Sequence, residues 1–314
     1  MDSNLRSLFK KALAEDIGGG DITTQALIPK NQQSEAVILA KDAGVFSGGP
    51  VAAEVFHLQD RGLRVKLGAK EGARVKKGQK VMTVRGRTRS ILEAERTALN
   101  FLGHLSGIAT LTRHYVDKVR GTKVKIYDTR KTTPLWRSLE KYAVKCGGGK
   151  NHRFGLFEEI LVKDNHWAAL RSLKLPRMLR VLATTKKRMK IPIEVEVRNI
   201  RNLARLLESP FVPDRILLDN FSVSELKRAV IFVKGLDQVL RTRYQIRRRA
   251  DRTVPDDPAA DRRSTDRRPM PELEASGGVN LANVRAVAKT GVQRISIGRL
   301  THSAPALDFS LRIL

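Results

Sequence analysis

Apolar residues along the chain change their spacing in a way that separates two halves. The opening segment MDSNLRSLFKKALAEDI sets them at helical intervals among charges, which predicts an amphipathic helix ending near Asp16 and Ile17. EAVILAKDAGVFSG then reads as an extended strand, PVAAEVFHL as a helix, and RVKLGAKEGARVKKGQKVMTVRG as two or three strands joined by Gly-containing turns. A long helix is expected from near Ile91, because Leu92, Leu99, Leu102 and Leu105 fall close to helical spacing, with breaks at Gly103 and Gly107.

From Val124 the pattern becomes strand and helix in alternation. The strand cores are VKIYD, EILVKD, IPIEVEV, RILLDN, ELEAS and RISIG; SLEKYAVKC, NIRNLARLLE, SVSELKRAVIFVKG and NLANVRAVAKTG between them have helical spacing. Six such units imply a parallel sheet in an α/β fold, and a closed barrel would leave no edge, although periodicity alone equally allows an open sheet. The stretch 237–269 fits neither pattern. Between Arg241 and Arg268 it carries ten arginines and five aspartates with few apolar residues, so a disordered basic insertion in a surface loop is expected.

Bulk properties narrow the class further. With 314 residues, 41% of them apolar, the chain can bury one large core or two modest ones. No run of eighteen apolar residues is present to span a membrane, and the N-terminal segment lacks the apolar centre of a signal peptide, so a cytoplasmic protein is expected. The single cysteine, Cys146, excludes an internal disulfide and reads as a small buried residue. Sixty Lys and Arg against 32 Asp and Glu give a net charge of +28. Anionic substrates account for part of that excess and nonspecific affinity for nucleic acid is a second outlet, though the basic stretch has only Tyr244 for base stacking.

The candidate chemistry is concentrated between Tyr127 and His166, where Arg130, Lys131, His152, Arg153 and Lys163 follow two apolar runs at their C-terminal ends. In parallel α/β folds those ends carry the sites, so a multiply anionic substrate is expected here. Glu194 and Glu196 are two apart on a strand and share a face; Asp219 ends the next strand, and such hard oxygen ligands suit Mg2+. Glu194 also reads as a partner for one of the lysines. Ser276-Gly277-Gly278 and Ser296-Ile297-Gly298 end the last two strands, with a helix expected near Asn280, and small residues there let backbone N–H groups approach a phosphate. Lys163 at a strand end could in principle form a Schiff base, but anionic surroundings favour its charged form.

Seven ordered motifs resemble the quinolinate phosphoribosyltransferase family: AEDIGGGDITT, ERTALNFLGHLSGIAT, DTRKTTP…GGGKNHR…VKDNH, IEVEV, ILLDNFS, LEASGGVNLANV and ISIGRLTHSAPALD. The resemblance implies an incomplete six- or seven-stranded α/β barrel over 113–303 beside an N-terminal α+β sandwich-like domain, 1–112, rejoined by the tail 304–314. It implies transfer of phosphoribose from phosphoribosyl pyrophosphate to quinolinate, with decarboxylation to nicotinic acid mononucleotide. Arg130, His152 and Arg153 would hold the quinolinate carboxylates, with Thr129 and Lys163 close by. Lys131 and Lys163 would serve as catalytic cations, and Glu196 and Asp219 would serve the ribose hydroxyls and Mg2+, directly or through the pyrophosphate. Ser276, Gly277, Gly278, Ser296 and Gly298 would take the 5-phosphate, with His302 near it. Arg96 would reach the site of a second subunit, implying a homodimer and leaving higher assembly open. One departure is Leu135-Trp136, where the family usually has glycine after the proline, a change expected to reshape the substrate loop. A molybdenum-operon paralogue of the same fold shares several of these motifs, but the complete central set favours the quinolinate enzyme.

Overall fold

The computed structural model describes residues 3–170, 175–209, 211–250 and 270–314. They fall into two compact units, one of Met1–Asp117, Lys131–Asn151 and Gly298–Leu314 and the other of Lys118–Arg130 and His152–Ile297. Both differ from the boundaries 1–112, 113–303 and 304–314 expected from the sequence. Residues 131–151 belong with the N-terminal unit, and so does the chain from Gly298 onward.

The first unit begins with helices α1 (Ser3–Ile17) and α2 (Ile22–Leu27), the latter capped by the Asp21 side chain, which accepts from the Thr24 N–H at 2.9 Å. Strands β1 (Gln33–Ala40), β3 (Arg64–Leu67) and β5 (Lys80–Arg87) join β12 (Phe309–Ile313) in an antiparallel sheet of order β12-β1-β5-β3, and β2 (Gly44–Val45) pairs with β4 (Arg74–Val75). Helix α3 (Gly49–Gln59) and the 31-residue α4 (Thr88–Lys118) supply Phe56, Phe101, Leu102 and Leu105 to the core, where Phe9 meets Phe101 edge-on at 5.0 Å. α4 is unbroken. Gly103 and Gly107 do not interrupt it but let the tail lie against it: a Cβ at Gly107 would stand 2.1 Å from the Pro305 carbonyl, and the Leu307 N–H donates to the Gly103 carbonyl at 3.0 Å. The same reasoning explains the glycine triplet after α5 (Arg137–Cys146), since a Cβ at Gly147 would sit 2.5 Å from the Ala109 carbonyl on α4. Close approach to α4 thus draws 131–151 into this unit. A short helix, α11 (Arg299–His302), precedes β12.

The second unit is a six-stranded parallel sheet of order β6-β11-β10-β9-β8-β7, built from β6 (Lys125–Tyr127), β7 (Ile160–Val162), β8 (Ile193–Val197), β9 (Arg215–Asp219), β10 (Glu272–Ser276) and β11 (Arg294–Ser296). Each expected strand core is present. Among the described residues no ladder joins β6 to β7, two strands of three residues each, so the sheet is not closed into a full barrel. The helices are α6 (Asp164–Ala169), α7 (Leu175–Met189), α8 (Ile200–Leu207), α9 (Val223–Ala250) and α10 (Val284–Ala288). The sequence reading overlooked α7, whose Met178, Leu179 and Leu182 are buried at helical spacing. No helix of the described residues is long and apolar enough to cross a membrane.

The expected insertion, 237–269, needs a correction over its first part: α9 runs on through 237–250. Leu, Gln and Arg there are strong helix formers, and Asp237 pairs with Arg241 one turn on at 2.9 Å. Residues 251–269 lie outside the described residues. Lys234 and Asp237 of α9 line the same small cavity as Met270 and Pro271, so α9 passes beside the point where the described chain resumes. Replacing Gln238–Arg268 by a short Gly/Ser linker should therefore shift the melting temperature by only a few degrees, as loop closure changes by about 0.6 kcal/mol per doubling of length. Loss of cooperative melting would show that this segment is integral to the unit.

Candidate active site

In the second unit, the C-terminal strand ends place the expected groups on one side of the sheet. Register sets Ser276 of β10 level with Asp219 of β9, and Ser296 of β11 level with Tyr127 of β6. Thr129 and Arg130 follow β6 and are half-buried; Lys163 follows β7 and is exposed, its N–H donating to His166 Nδ1 at 2.8 Å. Arg153 is buried and donates from Nη1 to the Glu159 carbonyl at 3.1 Å. Burial, and then the nearby Arg130 guanidinium, lower its pKa, the sign of two cations gathered for an anionic ligand.

Beneath them lies a buried ionic cluster that the sequence reading recognised only in part. His152 Nε2 is 3.0 Å from Glu194 and 3.3 Å from Glu274, and Nδ1 is 3.1 Å from Glu159. Arg294 bonds Glu274 at 2.5 Å and lies 3.7 Å over the Tyr127 ring, while Arg215 pairs with Glu159 and approaches Glu194 at 3.8 Å. Glu194 read either as a further carboxylate beside Glu196 and Asp219 or as a partner for a lysine; it is paired with His152. Burial works against a charged His152, but Glu194 and Glu274 outweigh it and push its pKa up to about 9. The Arg153 N–H lies 2.8 Å from Nδ1, a contact that suits a neutral ring, yet three surrounding carboxylates decide for the imidazolium. Burial and the Glu274 charge raise Glu194; for Glu274, burial is overcome by His152 and Arg294, which hold it well below the usual carboxylate range. Ligand atoms of His152, Glu159 and Glu194 lie within 4.8 Å of one another, but with Arg215 already on both carboxylates they form an ion-paired core rather than a metal centre. The missed members, Glu159, Arg215, Glu274 and Arg294, did leave a trace. Two glutamates stand in each of the strands IEVEV and ELEAS, and the neighbouring strand of each opens with an arginine.

Glu196 and Asp219 form a second group. Burial and then the Asp219 charge raise the Glu196 pKa, while Lys163 opposes the shift. A carboxylate whose charge cost is raised by a second one beside it makes, with that neighbour, a fitting seat for a divalent cation, so the residues present suit Mg2+. A cavity of about 450 Å³ also borders Glu196, and its walls combine Trp167, Leu170 and Met178 with Asp164, Arg198 and Arg205.

Gly277 and Gly278 both take left-handed backbone (φ 84° and 62°), which opens the turn after β10. The helix expected near Asn280 starts only at Val284. Asn280 and Asn283 side chains take up the N–H groups of residues 280, 282 and 283 at 2.8–3.1 Å, so these groups are engaged within the turn and the expected helix end is absent there.

The remaining expected residues lie in the first unit. Lys131 packs its stem on Gly298, where a Cβ would meet Lys131 Cδ at 2.9 Å and His302 Nε2 at 3.2 Å, and Thr301 Oγ1 donates to the Lys131 carbonyl at 2.6 Å. Arg96 is exposed on α4. Leu135, at φ 66°, occupies backbone that favours glycine, with its side chain 84% exposed. Trp136 behind it stacks on Phe101 at 4.6 Å and meets the His104 edge at 5.3 Å. His104 Nε2 is 2.9 Å from the fully buried Glu140, which also accepts from the Thr133 N–H at 3.2 Å. The bulky pair thus leaves the chain's left-handed turn in place and anchors the loop through the tryptophan.

A parallel sheet that gathers cations, paired carboxylates and a glycine turn at its C-terminal end defines an enzyme acting on polyanionic ligands. Models of the N- and C-terminal domains of quinolinate phosphoribosyltransferase match residues 21–106 and residues 108–244 with 256–312. The nicotinate-nucleotide pyrophosphorylase (carboxylating) of Mycobacterium leprae is 40% identical, covering 98% of this chain and 96% of its own length. A decarboxylating quinolinate phosphoribosyltransferase of Nicotiana tabacum is 36% identical over 99% of this chain and 82% of its own. The crystal structure of nicotinate-nucleotide pyrophosphorylase from Ehrlichia chaffeensis superposes with a TM-score of 0.81 at 35% identity, all of both chains being covered. The chain belongs to the quinolinate phosphoribosyltransferase family. Within the second unit the domain model leaves unmatched only 245–255, a narrower interval than the expected insertion.

The ionic cluster makes stability pH-dependent in a defined direction. A His pKa raised from 6.5 to about 9 adds stability that is complete below 6.5 and is lost as pH rises through 9. His152→Gln should cost about 3–5 kcal/mol near pH 6, as the loss of one partner from a buried pair does, and less at pH 10. Denaturant titrations at the two pH values check this; an equal loss at both would mean the ring is neutral in the folded protein.

Proposed function

We propose that the protein transfers the phosphoribosyl group of phosphoribosyl pyrophosphate to the ring nitrogen of quinolinate, releasing pyrophosphate and CO2 and forming nicotinic acid mononucleotide for NAD synthesis. The carrying observation is that Arg130 beside Arg153, and Lys163 beside Glu196 and Asp219, share one end of the parallel sheet. Family membership and relatives named for this activity support the same reading.

The chemistry asks for what these residues offer. The pyridine nitrogen forms a bond to the anomeric carbon as the carbon–oxygen bond to pyrophosphate breaks, so positive charge grows on the sugar and negative charge on the leaving group. Guanidinium forks of Arg130 and Arg153 fix both position and angle of the quinolinate carboxylates, with Thr129 beside them. The His152 ring, expected to hold a quinolinate carboxylate, is instead engaged by Glu159, Glu194 and Glu274, and its part is to keep the loop carrying Arg153 in place. Lys163 and Lys131 supply mobile point charges toward carboxylate and pyrophosphate. Glu196 and Asp219 hold the ribose hydroxyls and Mg2+, which, when bound, neutralises the departing pyrophosphate. The turn at Ser276, Gly277 and Gly278, with Ser296, Gly298 and His302, takes the 5-phosphate. Once the nitrogen is quaternised, the bond from C2 to its carboxylate breaks, CO2 leaves, the electron pair stays on C2 beside the cationic nitrogen that stabilises it, and C2 takes a proton. Arg96 completes the neighbouring subunit's site in a homodimer.

Nicotinic acid mononucleotide and CO2 should appear when the protein is given quinolinate, phosphoribosyl pyrophosphate and Mg2+; absence of both products overturns the reading. Lys163→Ala should lower turnover at least about a hundredfold without changing the melting temperature, since the side chain is exposed and the lost contact is charge-assisted. Glu196→Gln and Asp219→Asn should weaken Mg2+-dependent donor binding more than quinolinate binding, and an equal loss of both counts against the assignment. Mixed under subunit exchange, inactive Arg96→Ala and Lys163→Ala proteins should regain part of the activity, because a hybrid dimer holds one intact site. No recovery despite demonstrated exchange would show that Arg96 does not act across subunits.

A further inference from the structure

Asn220 stands between two groups already described, and its geometry is hard to explain as packing. It follows Asp219 directly after β9 and has φ 55°, a left-handed backbone that costs a residue other than glycine on the order of 1 kcal/mol or more. Its side chain is exposed, so no buried amide is being satisfied. The amide nevertheless has a defined place. Nδ2 donates to Asp219 Oδ2 at 2.8 Å, and the Asn220 N–H donates to the Ser276 carbonyl at 2.9 Å. On its other side, the amide oxygen fills the space of a missing side chain: a Cβ on Gly277 would lie 2.1 Å from Asn220 Oδ1.

We infer that Asn220 is a positioning residue, which fixes the orientation of the Asp219 carboxylate and ties it to the glycine turn after β10. A carboxylate at a strand end rotates freely unless one oxygen is held. With Oδ2 bonded to the amide, Oδ1 is left to meet the ligand in a single orientation, and the same residue sets the spacing between that oxygen and the Gly277 turn. Asparagine serves here because it tolerates the left-handed backbone and still brings a donor. Gly277 lacks a side chain in part to admit that amide. This inference rests on the proposal that Asp219 and the glycine turn both engage the phosphoribosyl donor, one at the ribose and the other at the 5-phosphate; it adds that their relative placement is set by one side chain.

Asn220→Gly isolates the amide, because glycine keeps the backbone conformation without strain and removes only the donor. Donor binding measured by calorimetry, together with steady-state kinetics, should show KM and Kd for phosphoribosyl pyrophosphate raised about tenfold, the scale of one hydrogen bond to a charged group. KM for quinolinate should stay within twofold, and the melting temperature should not fall below that of the parent. Asn220→Asp, which turns the donor into a second carboxylate facing Asp219, should weaken donor binding further. Parent-like donor binding in Asn220→Gly would overturn the inference, as would equal loss toward both substrates or a lowered melting temperature, which mark a structural role. Parent protein that binds the donor without forming nicotinic acid mononucleotide would sink the proposed reaction, while the calorimetric comparison would still decide the role of Asn220.

Discussion

The ion-paired cluster around His152 is the constraint on which the second unit depends. Three carboxylates and two guanidiniums removed from water would be strongly unfavourable singly, and each is tolerable only because its neighbours are in place. Sheet register supplies the pairing: Glu194 lies opposite Arg215, and Glu274 opposite Arg294. His152 arrives from outside the sheet and links three acids that no strand pairing joins. Its own backbone N–H is held at 2.8 Å by Asp128, which is fully buried at the end of β6. The loop through Arg153 is therefore pinned at two points, and the arginine proposed to bind a quinolinate carboxylate inherits its position from a buried charge network. Such a network contributes little net stability compared with apolar packing, but any arrangement that lacks one member is heavily penalised. That asymmetry selects one register of the short strands.

The first unit solves a related problem with different means. The loop 131–136 must hold Lys131 in place without being buried, and it does so through its flanks. Trp136 on Phe101, Glu140 on the Thr133 N–H and Thr301 on the Lys131 carbonyl are attachments behind the exposed residues. Leu135 shows which property of the loop matters. A leucine can stand where glycine is usual because its side chain points into solvent and the backbone turn, enforced from both sides, carries the strain.

Most of the fold was legible because period-two apolar runs ending in polar residues identify parallel strands whatever their order. The strand cores and the cationic residues at their ends could be read directly. Three features could not be, each for a physical reason. Whether Gly103 and Gly107 break α4 depends on what lies against them, and the tail that does so is 200 residues away. That α9 continues past Asp237 follows from local helix propensity, which a high arginine content masked as disorder. The buried partners of His152 lie on two strands and in the loop before a third, and a sequence without its register does not say which acid meets which base.

The charge of +28 also takes on a different meaning once burial is known. Arg215 and Arg294 are matched with glutamate side chains in the interior, so their charge is neutralised where it stands, whereas Arg153 donates to the Glu159 carbonyl, a neutral group, and keeps its charge. Lys131, Lys163 and Arg96 are exposed, as are most other basic residues, and these carry the excess. Exposed charge of this kind adds little to folding, because solvent and salt screen it beyond about 8–10 Å at physiological ionic strength. Its effect falls on encounter. A positive surface raises the local concentration of anionic molecules near the protein. The paired interior arginines do different work, in fixing the geometry of the second unit.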